Sequence, residues 1–226
     1  MLNDSAHWRG EIGTYFTDDD WTQWFASYAT YLTYIATVAR DSGVNMLNIG
    51  TELSASQHQT QHWHAIITAV RAIFTGPLTY GANWFPGPSD IVWWDQLDFI
   101  GVDAYYPLTD LVSPSVSDIE QGWRSVLPSL ASVSAQYNRS VLFLEVGYQS
   151  TNDTAIHPWG SNGGLDMQTQ ANCFSALFSV AYTQPWFAGV FIWAWTNDPS
   201  DGGPTDRGFS PHNKTAEAVI HSVYSA

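Results

Sequence analysis

Two patterns of hydrophobic residues alternate along this chain. Short apolar runs alternate with longer segments in which apolar residues recur every three or four positions. The clearest long segment covers residues 20–42, where Trp21, Phe25 and Leu32 share one face and Gly43 provides a stop signal. The pattern predicts helices over residues 20–42, 59–74, 116–136, 167–182 and 214–224, a short helix over 89–96, and strands over 45–50, 78–82, 99–104, 141–147 and 189–195.

Strands that alternate with helices indicate parallel β/α units, and ligand sites in such sheets lie at the carboxyl ends of the strands. A doubly wound nucleotide-binding fold normally carries a glycine-rich phosphate turn after a strand. The sequence contains neither G-x-G-x-x-G nor a Walker motif. We therefore predict an α/β fold of the (β/α)8 TIM-barrel type.

Composition excludes several classes of protein. The 226 residues are 45% hydrophobic and carry 21 acidic against 7 basic residues, for a net charge of −14. Such a surface repels phosphate backbones, so we expect no nucleic acid partner. No run of 18 apolar residues occurs, so we expect no membrane span. Residues 1–13 contain no signal-peptide core, and the single Cys173 reads as a buried thiol.

Two glutamates lie at predicted strand ends. Glu52 follows the run Asn48–Thr51, and Glu145 lies inside Leu142–Gly147. An acidic side chain there costs solvation unless it is paired or functional. Paired carboxylates at a barrel mouth are the apparatus of glycoside hydrolysis. Alternatively, each glutamate accepts a structural hydrogen bond at its strand end.

Aromatic residues accompany these glutamates. The chain has 12 tryptophans, and predicted strand ends carry Trp84, Tyr105, Tyr106, Trp193 and Trp195. Flat apolar rings suit the C–H faces of sugars. Other tryptophans are expected to pack helices on the sheet instead: Trp21, Trp24, Trp63 and Trp123.

Histidines raise the question of a metal. His58 and His62 have the i,i+4 spacing that can hold zinc, but no third ligand of matching spacing is visible. We expect a solvated helix start there, no metal site and no cofactor.

Four motifs, taken in order, resemble glycoside hydrolase family 113: Ile49–Leu53, Gly101–Leu108, Leu144–Tyr148 and Gly189–Trp195. The resemblance implies a retaining (β/α)8 barrel of the endo-β-1,4-mannanase type. It implies Glu52 as acid/base after strand four and Glu145 as nucleophile after strand seven. It also implies one of the two tyrosines beside the nucleophile and one of the two tryptophans as a sugar floor. Trp84 and Asp103 complete the expected substrate-binding set.

The predicted barrel is N-terminally incomplete. Only 44 residues precede the strand expected to be the fourth, whereas TIM barrels typically need about 250 residues in all. We therefore expect residues 1–226 to form a single partial domain that holds strands four to eight with their helices, preceded by helix three. Another chain, or self-association, could complete it.

The functional prediction is a secreted retaining hydrolase of β-1,4-linked mannan, with a β-linked polysaccharide or oligosaccharide as partner. Two alternatives stay open. One is a related enzyme acting on another β-glycan, because substrate choice lies in the loops. The other is an inactive carbohydrate-binding remnant, because the barrel is incomplete.

Overall fold

The structure, a computed structural model, describes residues 7–225. Residues 1–6, on which much of the signal-peptide prediction falls, lie outside the described residues. Within the described range the helices are Asp18–Asp41 (α1), Thr60–Arg71 (α2), Val116–Tyr137 (α3), Met167–Ala181 (α4) and Thr215–Tyr224 (α5). The strands are Leu47–Thr51 (β1), Leu78–Asn83 (β2), Phe99–Asp103 (β3), Ser140–Val146 (β4) and Phe187–Ile192 (β5).

The strands form one sheet in the order in which they occur along the chain, β1-β2-β3-β4-β5. β1 pairs parallel with β2, and β2 pairs parallel with β3, with Gly81 opposite Gly101. Sequential strand order in a parallel sheet requires a crossover between neighbours, and a helix provides three of the four crossovers. The predicted α/β architecture is therefore confirmed.

The chain clusters into two compact units. One contains the residues up to Asp103 together with Val133–Leu142, and the other contains Ala104–Ser132 and the residues from Phe143 onward. β4 and α3 contribute to both units.

Aromatic packing builds the core of the first unit. Trp63 on α2 stacks on Trp93 with ring centroids 4.9 Å apart, and Tyr80 on β2 meets Trp93 edge-on at 5.1 Å. All three side chains are fully buried. The indole N–H of Trp63 donates to the carbonyl of Ser56, so the polar edge of this buried ring is satisfied. The prediction that Trp63 packs a helix on the sheet is confirmed.

The second unit has its own aromatic core. Trp123 on α3 stacks on Phe143 of β4 at 5.6 Å, and Phe174 on α4 meets Tyr148 edge-on at 5.2 Å. Cys173 is a free, buried thiol beside this cluster, as predicted, and burial raises its pKa. A thiol held neutral in this way serves packing.

Two elements differ from their predictions. Residues 89–96 do not form one helix but two 3-10 turns, Pro88–Asp90 and Trp94–Gln96. Trp93 and Trp94 are both buried, and they donate their indole N–H groups to the carbonyls of Gln57 and Pro88, respectively. These tertiary contacts favour two separate turns over one continuous helix. β5 ends at Ile192, so Trp193 and Trp195 both lie beyond the strand.

Candidate active site

Glu52 lies directly beyond β1 in an unusual backbone conformation. Its φ is +53°, in the left-handed region that non-glycine residues rarely adopt. The register of β1 against β2 shifts between Asn48 and Thr51, and the backbone N–H of Glu52 donates to the carbonyl of Gly81 at 2.7 Å. Bulges of this kind redirect a side chain at the end of a strand. The backbone of Glu52 is therefore fixed by the neighbouring strand rather than by its own propensity.

The loop after Glu52 is anchored in the core of the first unit. The hydroxyl of Tyr80 accepts hydrogen bonds from the backbone N–H of Leu53 at 2.8 Å and from the side chain of Gln57 at 3.2 Å. Burial raises the pKa of Tyr80, which keeps this hydroxyl neutral. The strand end that carries Glu52 is thus held from both sides.

A tryptophan contacts the Glu52 carboxyl group. The indole Nε1–H of Trp8 donates to Oε2 of Glu52 at 3.1 Å. Trp8 also lines an open groove of about 840 Å³ along α1, together with Trp24, Tyr28 and Leu53. Trp8 is not among the predicted site residues, because it lies 44 residues from Glu52 in a segment without periodicity.

Two further predicted site residues belong to the first unit. Trp84 is half-buried just beyond β2, with its ring 5.8 Å from that of Phe85. Asp103, the last residue of β3, is fully buried, and a Cβ at Gly81 would lie only 3.1 Å from its Oδ1. The carboxylate of Asp103 thus lies beneath the surface, and its role in substrate binding stays a prediction.

Glu145 occupies the carboxyl end of β4 and is half-buried. The hydroxyl of Tyr105 donates to its Oε2 at 3.0 Å, and the backbone N–H of Ala104 donates to its carbonyl at 2.6 Å. A hydroxyl donor stabilises the carboxylate anion, which is the form that a nucleophile requires.

Tyr105, one of the two candidate tyrosines, bonds Glu145 through its hydroxyl. The ring of Tyr106 meets Trp123 edge-on at 6.0 Å, and burial raises the pKa of its hydroxyl. Tyr106 therefore has a packing partner in the core of the second unit.

Trp193 and Trp195 follow β5 with about half of each side chain exposed, 47% and 46%. The backbone N–H of Trp193 donates to the carbonyl of Val146, next to Glu145, at 2.8 Å. The ring of Trp195 lies 4.5 Å from that of His212. Both tryptophans thus keep an open face, as a sugar platform requires.

His212 is a second residue that sequence analysis missed. Its Nε2 lies 2.9 Å from the carbonyl of Thr196, and its Nδ1 lies 3.2 Å from Oε1 of Glu217. Both partners are acceptors, so the doubly protonated ring satisfies both. The carbonyl of Thr196, followed by Glu217, raises the pKa of His212 although burial opposes the shift. In its protonated form, the His212 ring lies within cation–π distance of Trp195.

The histidines near α2 have aromatic contacts. His62 stacks on Phe25 with ring centroids 4.6 Å apart, and His58 meets Trp21 edge-on at 6.0 Å. Among residues 7–225, no group of three His, Cys, Asp or Glu side chains is arranged to hold a metal ion. In the same range no helix is long and apolar enough to cross a membrane.

The fold of this chain is highly similar to the solved structures of two mannanases. A structure of a GH113 β-1,4-mannanase is 26% identical, with a TM-score of 0.84, over 97% of this chain and 70% of that one. A GH113 β-mannanase from Alicyclobacillus acidocaldarius is 28% identical, with a TM-score of 0.82, over 96% of this chain and 68% of that one. These shares fit the predicted partial TIM barrel.

A more distant likeness concerns the fold alone. A β-glucuronidase from Ruminococcus gnavus is 13% identical, with a TM-score of 0.70, over 93% of this chain and 38% of that one.

No curated protein sequence matches this chain. The model of Glycoside Hydrolase Family 113 matches residues 1–214, nearly the whole chain. The resemblance drawn from the four sequence motifs is thereby confirmed, and this chain belongs to glycoside hydrolase family 113.

Proposed function

We propose that this chain is a retaining hydrolase of β-1,4-linked mannan and manno-oligosaccharides, with Glu145 as nucleophile and Glu52 as acid/base. One observation carries the assignment of the nucleophile. Glu145 is half-buried one residue before the end of an internal strand, and its carboxylate accepts a hydrogen bond from the hydroxyl of Tyr105 at 3.0 Å. The mannanase structures that this chain resembles support the choice of sugar.

The reaction takes two displacements. Oε1 of Glu145 attacks the anomeric carbon while the protonated Glu52 gives its proton to the glycosidic oxygen, so that the C–O bond breaks and the leaving sugar departs as an alcohol. Water then attacks the anomeric carbon of the glycosyl-enzyme, Glu52 takes its proton, and the carboxylate of Glu145 is released. Atoms and charge balance over the two steps, since one water is consumed for each bond cleaved.

The aromatic side chains supply the sugar contacts in this proposal. The exposed faces of Trp193 and Trp195 suit the apolar face of a pyranose ring, and Trp84 offers a third platform. Tyr105 positions the nucleophile and hydrogen-bonds it. Trp8 contacts the carboxyl group of the proposed acid/base, Glu52.

Product analysis tests the proposal. Wild-type protein, Glu145→Gln and the surface control Glu11→Gln are incubated with linear β-1,4-mannan and manno-oligosaccharides. We expect shortened oligomers from wild type and from the control, whose carboxylate is exposed on a 3-10 turn. We expect none from Glu145→Gln. Proton NMR of the first product should show the β-anomer, as a double displacement requires.

Four other results are informative. Wild-type turnover by Glu145→Gln overturns the assignment, and an α-anomer as first product replaces a retaining mechanism with an inverting one. A folded chain that binds mannan without cleaving it supports the carbohydrate-binding alternative. Cleavage of a different β-glycan in preference to mannan supports the alternative of a related enzyme with another substrate.

Location, domain organisation and assembly belong to the same proposal. A polysaccharide cannot cross a membrane, so we propose that the enzyme acts outside the cell. We propose that residues 1–226 work as one partial catalytic domain. Association with a second chain, or with another copy of itself, stays a prediction that light scattering of the purified protein can test.

A further inference from the structure

The contact between Trp8 and Glu52 joins two residues that are far apart in sequence. Nε1 of Trp8 lies 3.1 Å from Oε2 of Glu52. An indole N–H can only donate, so it needs an oxygen with an available lone pair. Trp8 is 40% exposed, so this contact does not arise from burial of Trp8 in the core.

The turn that carries Trp8 holds the ring in place. Trp8 precedes the 3-10 turn Arg9–Glu11, and its carbonyl accepts the backbone N–H of Glu11 at 3.0 Å. The ring folds back over Gly10 so closely that a Cβ at that position would overlap it. A side chain larger than hydrogen at residue 10 would therefore displace the indole.

The backbone of Glu52 is equally constrained, as its φ of +53° and its bond to Gly81 require. The remaining freedom lies in the side-chain torsions of Glu52. A donor that bonds one carboxyl oxygen removes most of that freedom.

We propose that Trp8 is a positioning residue for the acid/base. The indole N–H of Trp8 donates to Oε2 of Glu52. In the protonated acid, Oε2 is then the carbonyl oxygen, and Oε1 carries the proton that is transferred. A carbonyl oxygen is the better acceptor of the two oxygens in a carboxylic acid. The same bond persists in the carboxylate formed after proton transfer, so the side chain keeps one orientation through both displacements. This inference rests on the proposed role of Glu52.

Leaving-group dependence tests the kinetic consequence. Trp8→Phe keeps an aromatic ring and removes the donor. Aryl manno-oligosides with a dinitrophenolate leaving group need little protonation, whereas natural sugar leaving groups need it fully. We expect kcat/KM to fall about tenfold or more on manno-oligosaccharides, within the range that general acid catalysis supplies, and to change little on the dinitrophenyl substrate.

Trp24→Phe is the matched control. Trp24 lines the same groove, but its ring stacks on Tyr28 with centroids 4.8 Å apart. The same chemical change there should affect both substrates alike. Equal losses on both substrates in Trp8→Phe would overturn the positioning role and leave Trp8 a structural residue.

Indole resonances test the hydrogen bond without turnover. The missing peak in Trp8→Phe assigns the Trp8 signal among the 12 tryptophans. In Glu52→Ala that signal should move upfield, because the proton loses its acceptor. In Asp41→Ala, where the lost carboxylate pairs with Arg40 instead, it should stay in place. An unmoved Trp8 signal in Glu52→Ala would refute the contact.

The function and the inference fail in different ways. If Glu52 is the acid/base, azide should restore turnover of the dinitrophenyl substrate by Glu52→Ala, because the small anion replaces activated water. Absence of that rescue, with manno-oligosaccharide cleavage intact, refutes the proposed role of Glu52. Rescue of Glu52→Ala combined with wild-type behaviour of Trp8→Phe refutes the role of Trp8 alone.

Discussion

The hydroxyl of Tyr105 donates to Oε2 of Glu145 at 3.0 Å, across 40 residues of sequence. The backbone of the same segment reinforces this contact, since the N–H of Ala104 bonds the carbonyl of Glu145 at 2.6 Å. The side chain of Tyr105 is 6% exposed, so water competes little for the hydroxyl. Main chain and side chain thus hold the candidate nucleophile together.

Removing this donor should slow the chemistry without unfolding the protein. A hydrogen bond to a charged group is worth about 1.5–3 kcal/mol, so Tyr105→Phe should lower kcat about tenfold to a hundredfold. KM should change less, because the bond holds the enzyme rather than the sugar. Tyr137→Phe is the control, since that hydroxyl bonds the carbonyl of Ile91. Steady-state kinetics on manno-oligosaccharides measures both variants, and equal kcat values for the two would contradict the role of Tyr105.

Gly147 should not tolerate a side chain. A Cβ there would overlap the carbonyl oxygen of Trp193, where the chain beyond β4 meets the turn after β5. Gly147→Ala should lower the free energy of unfolding by about 1–3 kcal/mol, as overpacking does, and should weaken sugar binding by displacing Trp193. Gly160→Ala adds the same methyl group where nothing lies within 4 Å. Urea unfolding of both variants is the measurement, and similar losses in the two would argue against a close approach at Gly147.

Much of this architecture could be predicted from the sequence, because apolar runs and helical periodicity report burial locally. The strand ends at Glu52 and Glu145 followed from that pattern. The left-handed φ of Glu52 did not, because it depends on the register of β1 against β2. The predicted strand 189–195 ran three residues too far, since an apolar run does not reveal where the backbone leaves a sheet.

The contacts of Trp8 and His212 were not predictable for a related reason. Trp8 and His212 reach their partners through turns whose course depends on tertiary packing. Neither residue belongs to a motif that carries chemistry by its spacing alone. The sequence pattern therefore indicated the two candidate carboxylates, Glu52 and Glu145, but not Trp8 and His212, which contact other residues of the candidate site.

Lys214 should be important for stability. Its ammonium group is fully buried and contacts Oδ2 of Asp206 at 2.6 Å, the hydroxyl of Ser150 at 2.8 Å and the carbonyl of Gly208 at 3.0 Å. Lys214→Met leaves these acceptors without their donor and should cost about 2–3 kcal/mol. Arg40→Met breaks an exposed pair with Asp41 and should cost less than about 1 kcal/mol. Thermal and urea unfolding compare the two variants, and equal stabilities would show that the buried ammonium contributes nothing.

His212 should make stability depend on pH. Its folded pKa is raised above the ordinary value of 6.5 by the carbonyl of Thr196 and by Glu217. A raised pKa means that the folded state binds the proton more tightly than the unfolded state does. The resulting stabilisation is fully present below about pH 6.5 and is lost as pH rises through the folded pKa.

His212→Gln should remove this contribution and keep a polar side chain of similar length. The difference in unfolding free energy between wild type and His212→Gln should therefore shrink from pH 5.5 to 8.5, a window chosen to span about one unit below and two above the ordinary pKa. His221→Gln, at an exposed position on α5, controls for the loss of an imidazole. The fluorescence of Trp195, whose ring lies 4.5 Å from His212, should change over the same interval in wild type and not in His212→Gln. A pH-independent difference between the two proteins would mean that the His212 ring keeps one charge state throughout and that its contacts with Thr196 and Glu217 do not depend on the second proton.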